Sequence, residues 1–192
     1  MDRTSFLFLA EGFEEIEALT VVDVMRRAEL PVVTVSIGNS RSVKGAHGIV
    51  VDADALFTDA DFSSVEWLIL PGGMPGASNL YNFAPLRELL LKHNTVKGKI
   101  AAICASPAVV LAQSGILKGK HATCYPGFED LMEGAEVVPE PVVVDKNIIT
   151  SHGPASAMQF ALAIVAAEKG EEVAYEIASG MLLYPQNHQY YF

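Results

Sequence analysis

Short apolar runs and helically spaced apolar stripes take turns along most of the chain, the pattern of strands and helices in a layered α/β fold. Residues 5–10, Ser-Phe-Leu-Phe-Leu-Ala, predict a first strand. Glu11-Gly12-Phe13 then turns into a helix over about 14–28, with Ile16, Leu19, Val22 and Met25 at helical spacing. Glu14, Glu15 and Glu17 crowd its first turn and Arg26 and Arg27 its last, end charges that a helix dipole favours by ~0.3–1 kcal/mol each. Leu30-Pro31 breaks the helix, and the β-branched stretch 32–37 predicts a second strand that completes a βαβ unit. Gly38-Asn39-Ser40 reads as a turn and 48–52 as a short strand, and Asp52, Asp54, Asp59 and Asp61 fall in a loop region read as a solvated turn. The spacing of these acids lacks the glycine and terminal glutamate of a calcium loop.

Further along, 65–70 predicts a strand running into Pro71-Gly72-Gly73-Met74-Pro75-Gly76. An amphipathic helix over 85–93 turns Leu86, Leu89 and Leu90 inward and Arg87 and Lys92 outward. Residues 99–103 form an apolar run suited to a strand buried on both faces of a parallel sheet. A helix from Pro107 to near Gly115 follows, then a strand over 121–124 ending at Tyr125-Pro126-Gly127. Residues 142–144 and 148–150 flank Asp145-Lys146-Asn147 as a hairpin with a three-residue turn. Ser151-His152-Gly153-Pro154 leads into an apolar helix over 155–169, capped by Gly170, and 171–183 predicts a last helix. Met181-Leu182-Leu183-Tyr184 and Tyr190-Tyr191-Phe192 would leave an apolar patch on a monomer, so a dimer or a docked tail is expected.

Composition narrows the function classes. A chain of 192 residues, 51% hydrophobic, fits one domain over 1–192 with a large core. A net charge of −10 argues against nucleic acid or an anionic membrane surface as partner and leaves small molecules and proteins. The first apolar run is too short for a signal peptide and no run is long enough to cross a bilayer, so a cytoplasmic setting is expected. Two cysteines, Cys104 and Cys124, are too few for a disulfide framework or a thiolate zinc site, which turns attention to reactivity.

The candidate chemistry centres on Cys104. In Lys99-Ile100-Ala101-Ala102-Ile103-Cys104-Ala105-Ser106-Pro107 a strand turns abruptly into a helix, with Ser106 as expected N-cap and Pro107 as first helical residue. A sulfur at that turn lies near free backbone N–H groups and the positive end of a helix dipole, which favours thiolate over thiol. The alternative is a buried apolar filler. Cys124 is expected to be filler, since alternation puts it and Tyr125 on opposite faces. Gly72-Gly73, at the carboxyl end of a strand, lets backbone N–H groups face a ligand or a developing oxyanion, or makes a simple tight turn. Glu17 follows the first strand, at the carboxyl edge where ligands bind in parallel sheets.

Five segments, in order, carry a resemblance: Phe13-Glu14-Glu15-Ile16-Glu17, Val22-Asp23-Val24-Met25-Arg26-Arg27-Ala28, Leu70-Pro71-Gly72-Gly73, Ala101-Ala102-Ile103-Cys104-Ala105-Ser106-Pro107 and Thr150-Ser151-His152-Gly153-Pro154. Together they resemble the ThiJ/PfpI superfamily, and within it the parkinsonism-associated branch. The resemblance implies a flavodoxin-like three-layer α/β sandwich, with a mostly parallel central sheet, helices on both faces and a small β-hairpin, usually as a homodimer. It implies a nucleophile at Cys104 beside a protonated glutamate at Glu17, and an oxyanion hole from Gly72, Gly73 and Ala105. Arg27 matches an arginine that helps bind anions near the family's dimer interface.

Departures from the family pattern bear on the reaction. Ala105 stands where protease-type members carry histidine, and Tyr125 where the parkinsonism-associated branch does, which weakens an intracellular cysteine peptidase reading. His152 replaces an arginine and, with Gly153 and Pro154, is expected near the pocket; His47 is expected to reach it from a dimer partner. The favoured expectation is a glyoxalase- or deglycase-like enzyme that takes a small aldehyde or glycated substrate through a low-pKa thiolate, needing no metal or other cofactor. The alternative is a redox sensor or protective protein that stores a cysteine sulfinate.

Overall fold

The computed structural model describes residues 3–183. The chain begins with β1 (Thr4–Leu9), α1 (Glu15–Arg27), β2 (Val32–Ser36), β3 (Ser42–Lys44), β4 (Val50–Asp52), β5 (Ala55–Leu56) and β6 (Val65–Leu70). Then come α2 (Gly76–Asn82), α3 (Ala84–Thr95), β7 (Lys99–Ile103), β8 (His121–Ala122), β9 (Glu136–Val137), β10 (Val142–Asp145), β11 (Ile148–Ser151), α4 (Ala157–Lys169) and α5 (Glu171–Gly180). Seven strands form one sheet in the order β10-β11-β7-β6-β1-β2-β5, parallel except for the β10–β11 pair. From β1 the sheet grows outward through β2 and β5, then resumes on the other side of β1 through β6, β7 and β11. The strand order therefore reverses beside β1, and in such sheets ligands gather at the carboxyl ends of the strands near that reversal.

Alternation along the inner strands divides the core in two. Leu7, Leu9, Ile69, Ala101 and Ile103 join Val21, Val24 and Met25 of α1 and Phe160 and Ile164 of α4. Phe6, Phe8, Leu68, Leu70, Ile100 and Ala102 join Leu80 of α2, Leu86 and Leu90 of α3, and Val110 and Leu111 of a π-helical segment, Pro107–Ala112. Each fully buried leucine or phenylalanine contributes ~1.5–3 kcal/mol of transfer free energy, so the middle strands are the firmest part of the sheet. The result is the flavodoxin-like three-layer sandwich expected, with the β10–β11 hairpin built into the sheet edge.

Several local expectations give way to tertiary context. On α1 the inward face is Ala18, Val21, Val22, Val24 and Met25, while Ile16 and Leu19 are exposed. Asp54 is exposed, as a solvated turn requires, but it is also a strut: its Oδ2 accepts from the Thr34 amide (2.9 Å) and hydroxyl (2.8 Å) and pairs with Arg26 (2.9 Å), pinning the chain before β5 to β2. The predicted strand at 48–52 is one arm of an antiparallel pair, β3–β4, whose other arm is too short for periodicity to register. Ser106 is already helical, and its hydroxyl donates to the Pro71 carbonyl (2.6 Å) instead of capping. The 145–147 turn tightens to two residues, Lys146 and Asn147, because Asp145 pairs with Ile148 and Lys146 takes a φ of 57°. Helix α2 and the shortness of β8 escaped the pattern, and the last helix ends at Gly180. Tyr184 and Tyr190-Tyr191-Phe192 lie outside the described residues. Among the described residues no helix is long and apolar enough to cross a membrane.

Candidate active site

Three strand ends converge at the reversal point. Cys104 directly follows β7 with a φ of +66°, a left-handed conformation that costs a non-glycine residue about 1–3 kcal/mol unless its surroundings hold it. Two hydrogen bonds do so: the Cys104 amide donates to the Ser151 carbonyl on β11, and the Tyr125 amide to the Cys104 carbonyl, both at 2.8 Å. The turn aims backbone N–H groups of Gly73 and Ala105 at the sulfur. Glu17, on the first turn of α1 after β1, is fully buried, and its Oε2 accepts the Gly72 amide at 2.7 Å. That bond corrects one assignment: the Gly72 N–H serves Glu17 and is not free for an oxyanion. What Gly72 supplies is proximity. A Cβ there would lie 2.5 Å from Cys104 Cβ, 2.9 Å from Glu17 Oε2 and 3.0 Å from Cys104 Sγ, so its bare Cα lets the two side chains meet.

The electrostatics of the pair follow from its burial. Desolvation pushes the Glu17 carboxyl up to about 7, against the Gly72 amide and the Cys104 thiol, which favour its ionised form. Desolvation also pushes the Cys104 thiol up to about 12, with the Glu17 charge adding to it and the Gly73 and Ala105 N–H groups opposing. The thiolate expected from the helix dipole alone is therefore not the resting form beside an ionised Glu17. Two acids in one buried site are better treated as a unit that gives up its first proton near neutrality and its second far above it. Glu17 Oε1 is buried with no hydrogen-bond partner among the described residues.

In front of the pair lies an open cleft of about 440 Å³. Cys104, Gly73, Ala105, Tyr125, Pro154 and His47 line it, as do four residues that the sequence did not suggest for the pocket: Glu14, Ile16, Met74 and Phe128. Gly153 stands behind the Tyr125 ring, where a Cβ would come within 3.3 Å of Cδ2. His152 and Arg27 are not in the lining. Arg27 forms a helix-surface pair with Asp23 at 2.7 Å, so its charge is satisfied away from the cleft. His47 lines the cleft of its own chain, because the β3–β4 connection folds over the start of α1. Glu14 and Glu15, read from sequence as helix-end charges, are buried there. Their carboxylates and the His47 ring come within 4.8 Å of one another. Glu15 is engaged by N–H groups on both oxygens, which makes the group a hydrogen-bonded clamp. A larger groove of about 500 Å³ at the other end of the sheet holds the Lys99–Glu66 ion pair but no thiol, so size does not locate the chemistry.

Gly73 is the most demanding position in the cleft wall. Its φ is +85°, and a Cβ would fall 2.4 Å from the Glu14 amide nitrogen and 2.5 Å from the Gly12 carbonyl oxygen, both backbone atoms that cannot swing aside. Gly73→Ala is expected to lower the unfolding free energy by roughly 2–4 kcal/mol, read from urea denaturation midpoints. A change under about 0.5 kcal/mol, the ordinary range of a surface substitution, would contradict this account.

The sequence profile of the DJ-1/PfpI family matches residues 3–167. The chain belongs to the DJ-1/PfpI family. Among the DJ-1/PfpI relatives, the Arabidopsis thaliana protein DJ-1 homolog B is 38% identical over 178 residues, which cover 92% of this chain and 41% of the plant protein. The chain thus spans less than half the length of that relative. A Caenorhabditis elegans DJ-1/PfpI relative named glutathione-independent glyoxalase DJR-1.2 is 36% identical over 164 residues, covering 84% of this chain and 86% of the nematode protein. The solved structure of oxidized Toxoplasma gondii DJ-1 superposes with a TM-score of 0.92 at 37% identity, covering 95% of this chain and all of that one.

Proposed function

We propose that this DJ-1/PfpI chain is a glyoxalase- or deglycase-like enzyme that acts on small reactive aldehydes or glycated substrates through Cys104. The observation that carries the proposal is the meeting of Cys104 and Glu17 over Gly72, with the Gly73 and Ala105 N–H groups aimed at the sulfur beside an open cleft. The nematode relative's name, that of a glutathione-independent glyoxalase, supports the same chemistry. When the one remaining proton of the pair sits on Glu17, Cys104 is a thiolate. Its sulfur adds to the aldehyde carbon, and the carbonyl π pair moves to the oxygen, which takes the Glu17 proton to give a hemithioacetal. Donors aimed at such an oxygen are worth ~2.7–4 kcal/mol apiece when preorganised. After isomerisation to a thioester, water adds, the sulfur leaves, and the Glu17 carboxylate takes the proton of the water. The test is conversion of methylglyoxal to lactate without glutathione, followed by NMR. No turnover by the unaltered protein would overturn the proposal.

A second reading, a redox sensor, is favoured by the likeness to a relative solved in an oxidized form. Peroxide would oxidise Cys104 to a sulfinate whose oxygens the same N–H groups and Glu17 could hold. Intact-mass spectrometry after peroxide treatment is expected to show two added oxygens in the unaltered protein and none at position 104 in Cys104→Ser. A thiol that stays unmodified would remove this reading.

A further inference from the structure

We infer that His47 moves the carbon-bound proton in this reaction, taking the part of the histidines that Ala105 and Tyr125 leave out; the inference rests on the aldehyde chemistry proposed above. Among the described residues His47 is the histidine in the cleft lining, on the same wall system as Cys104. Its placement is built. Glu15 Oε1 accepts the His47 backbone amide at 2.8 Å, and Glu15 Oε2 lies 2.8 Å from the ring Nδ1. Gly45 closes over the carboxylate so tightly that a Cβ there would sit against the Glu15 side chain. Glu14 Oε2 adds a second negative charge 3.5 Å from Nδ1.

A tether for the β3–β4 connection would need only the backbone contacts. Holding the ring of an exposed side chain through Nδ1 with a buried carboxylate does something more. In the neutral ring it makes Nδ1 the donor and leaves Nε2 as the acceptor, the arrangement by which a carboxylate orients an imidazole base. The same two carboxylates raise the basicity of the ring.

The step balances as follows. In the hemithioacetal, Nε2 removes the proton on the sulfur-bearing carbon, the C–H electron pair becomes the C=C bond of an enediolate, and the ketone π pair moves onto its oxygen. The imidazolium returns the proton to the neighbouring carbon. Glu17 meanwhile carries the hydroxyl proton from the first oxygen to the second, leaving the thioester of a hydroxy acid. His47 is thereby the carbon-to-carbon carrier and Glu17 the oxygen-to-oxygen carrier.

The experiment is methylglyoxal turnover by the full chain and by His47→Gln and His47→Ala, with and without added imidazole, using Cys104→Ser in imidazole as background. Both His47 variants are expected to lose on the order of 10²–10³-fold in kcat with KM changed only a few-fold, and imidazole is expected to restore part of the loss in His47→Ala. Lactate formed in D2O by the unaltered protein is expected to carry deuterium at its second carbon. If kcat stays within twofold in both variants while the unaltered protein is active, this inference falls and the glyoxalase-like activity stands. Loss without imidazole rescue makes His47 a tether and also overturns it. Absence of turnover by the unaltered protein removes both.

Discussion

Cys104→Ser is expected to reduce methylglyoxal turnover by on the order of 10³-fold or more while leaving the thermal melt of the protein nearly unchanged. Serine keeps the shape of the side chain and adopts the +66° turn at the same backbone cost, so the fold has no reason to change. The hydroxyl, however, holds its proton far more firmly than a thiol, and a Glu17 carboxyl near 7 is too weak a base to remove it. Turnover within tenfold of the unaltered protein would place the chemistry on another residue.

Glu17→Gln is expected to have the next largest effect, lowering kcat by roughly 10²–10³-fold and changing the shape of the pH profile. Below about 7 both members of the pair hold a proton and no thiolate form exists; above it one proton is shared, so activity of the unaltered protein should rise through that pH and then level. A glutamine cannot exchange protons, and the residual activity of the variant should keep climbing with pH as the thiol ionises by itself. Stability carries a matching signature. The folded chain binds the Glu17 proton more tightly than an unfolded chain with its ordinary value of 4.5, so this contribution is complete below about 4.5 and is lost as pH rises through about 7. The shift corresponds to roughly 3 kcal/mol, and the pH-dependent decline should be smaller by about that amount in the variant. Parallel stability curves for the two proteins, measured by denaturant titration from pH 4 to 8, would show that Glu17 titrates normally.

The strands nearest the site were the most legible parts of the sequence. Residues 65–70 and 99–103 match β6 and β7 to the residue, because a strand buried on both faces is written mainly in apolar residues, broken here only by Glu66 and Lys99 near the strand starts. The elbow was legible for a related reason: the run stops at a cysteine and a proline follows three positions later. What was hidden depends on distant partners. Whether Glu15 is a solvated end charge or a buried clamp is decided by His47, 32 residues away, and no local pattern carries that information. The charge state of Cys104 depends on distant partners in the same way. A helix dipole can be inferred from neighbouring residues, whereas the desolvation that outweighs it comes from Glu17 and the walls that three separate strands bring together. Ile16 and Leu19 keep helical spacing yet face outward, since the inward stripe is set by what α4 and the sheet present to α1.

The reacting pair and the cleft rim are anchored differently. Cys104 and Glu17 are held in the core, at the ends of strands whose loosening would unfold the protein. Ile16, His47, Met74 and Tyr125 stand at the surface on a helix start and three connections. Substitutions at Ile16, Met74 and Tyr125 can reshape what enters the cleft at little thermodynamic cost, whereas the buried pair tolerates only replacements that keep the shape of the side chain, such as Cys104→Ser and Glu17→Gln. Such an architecture separates the surface that would select a substrate from the buried groups proposed to act on it.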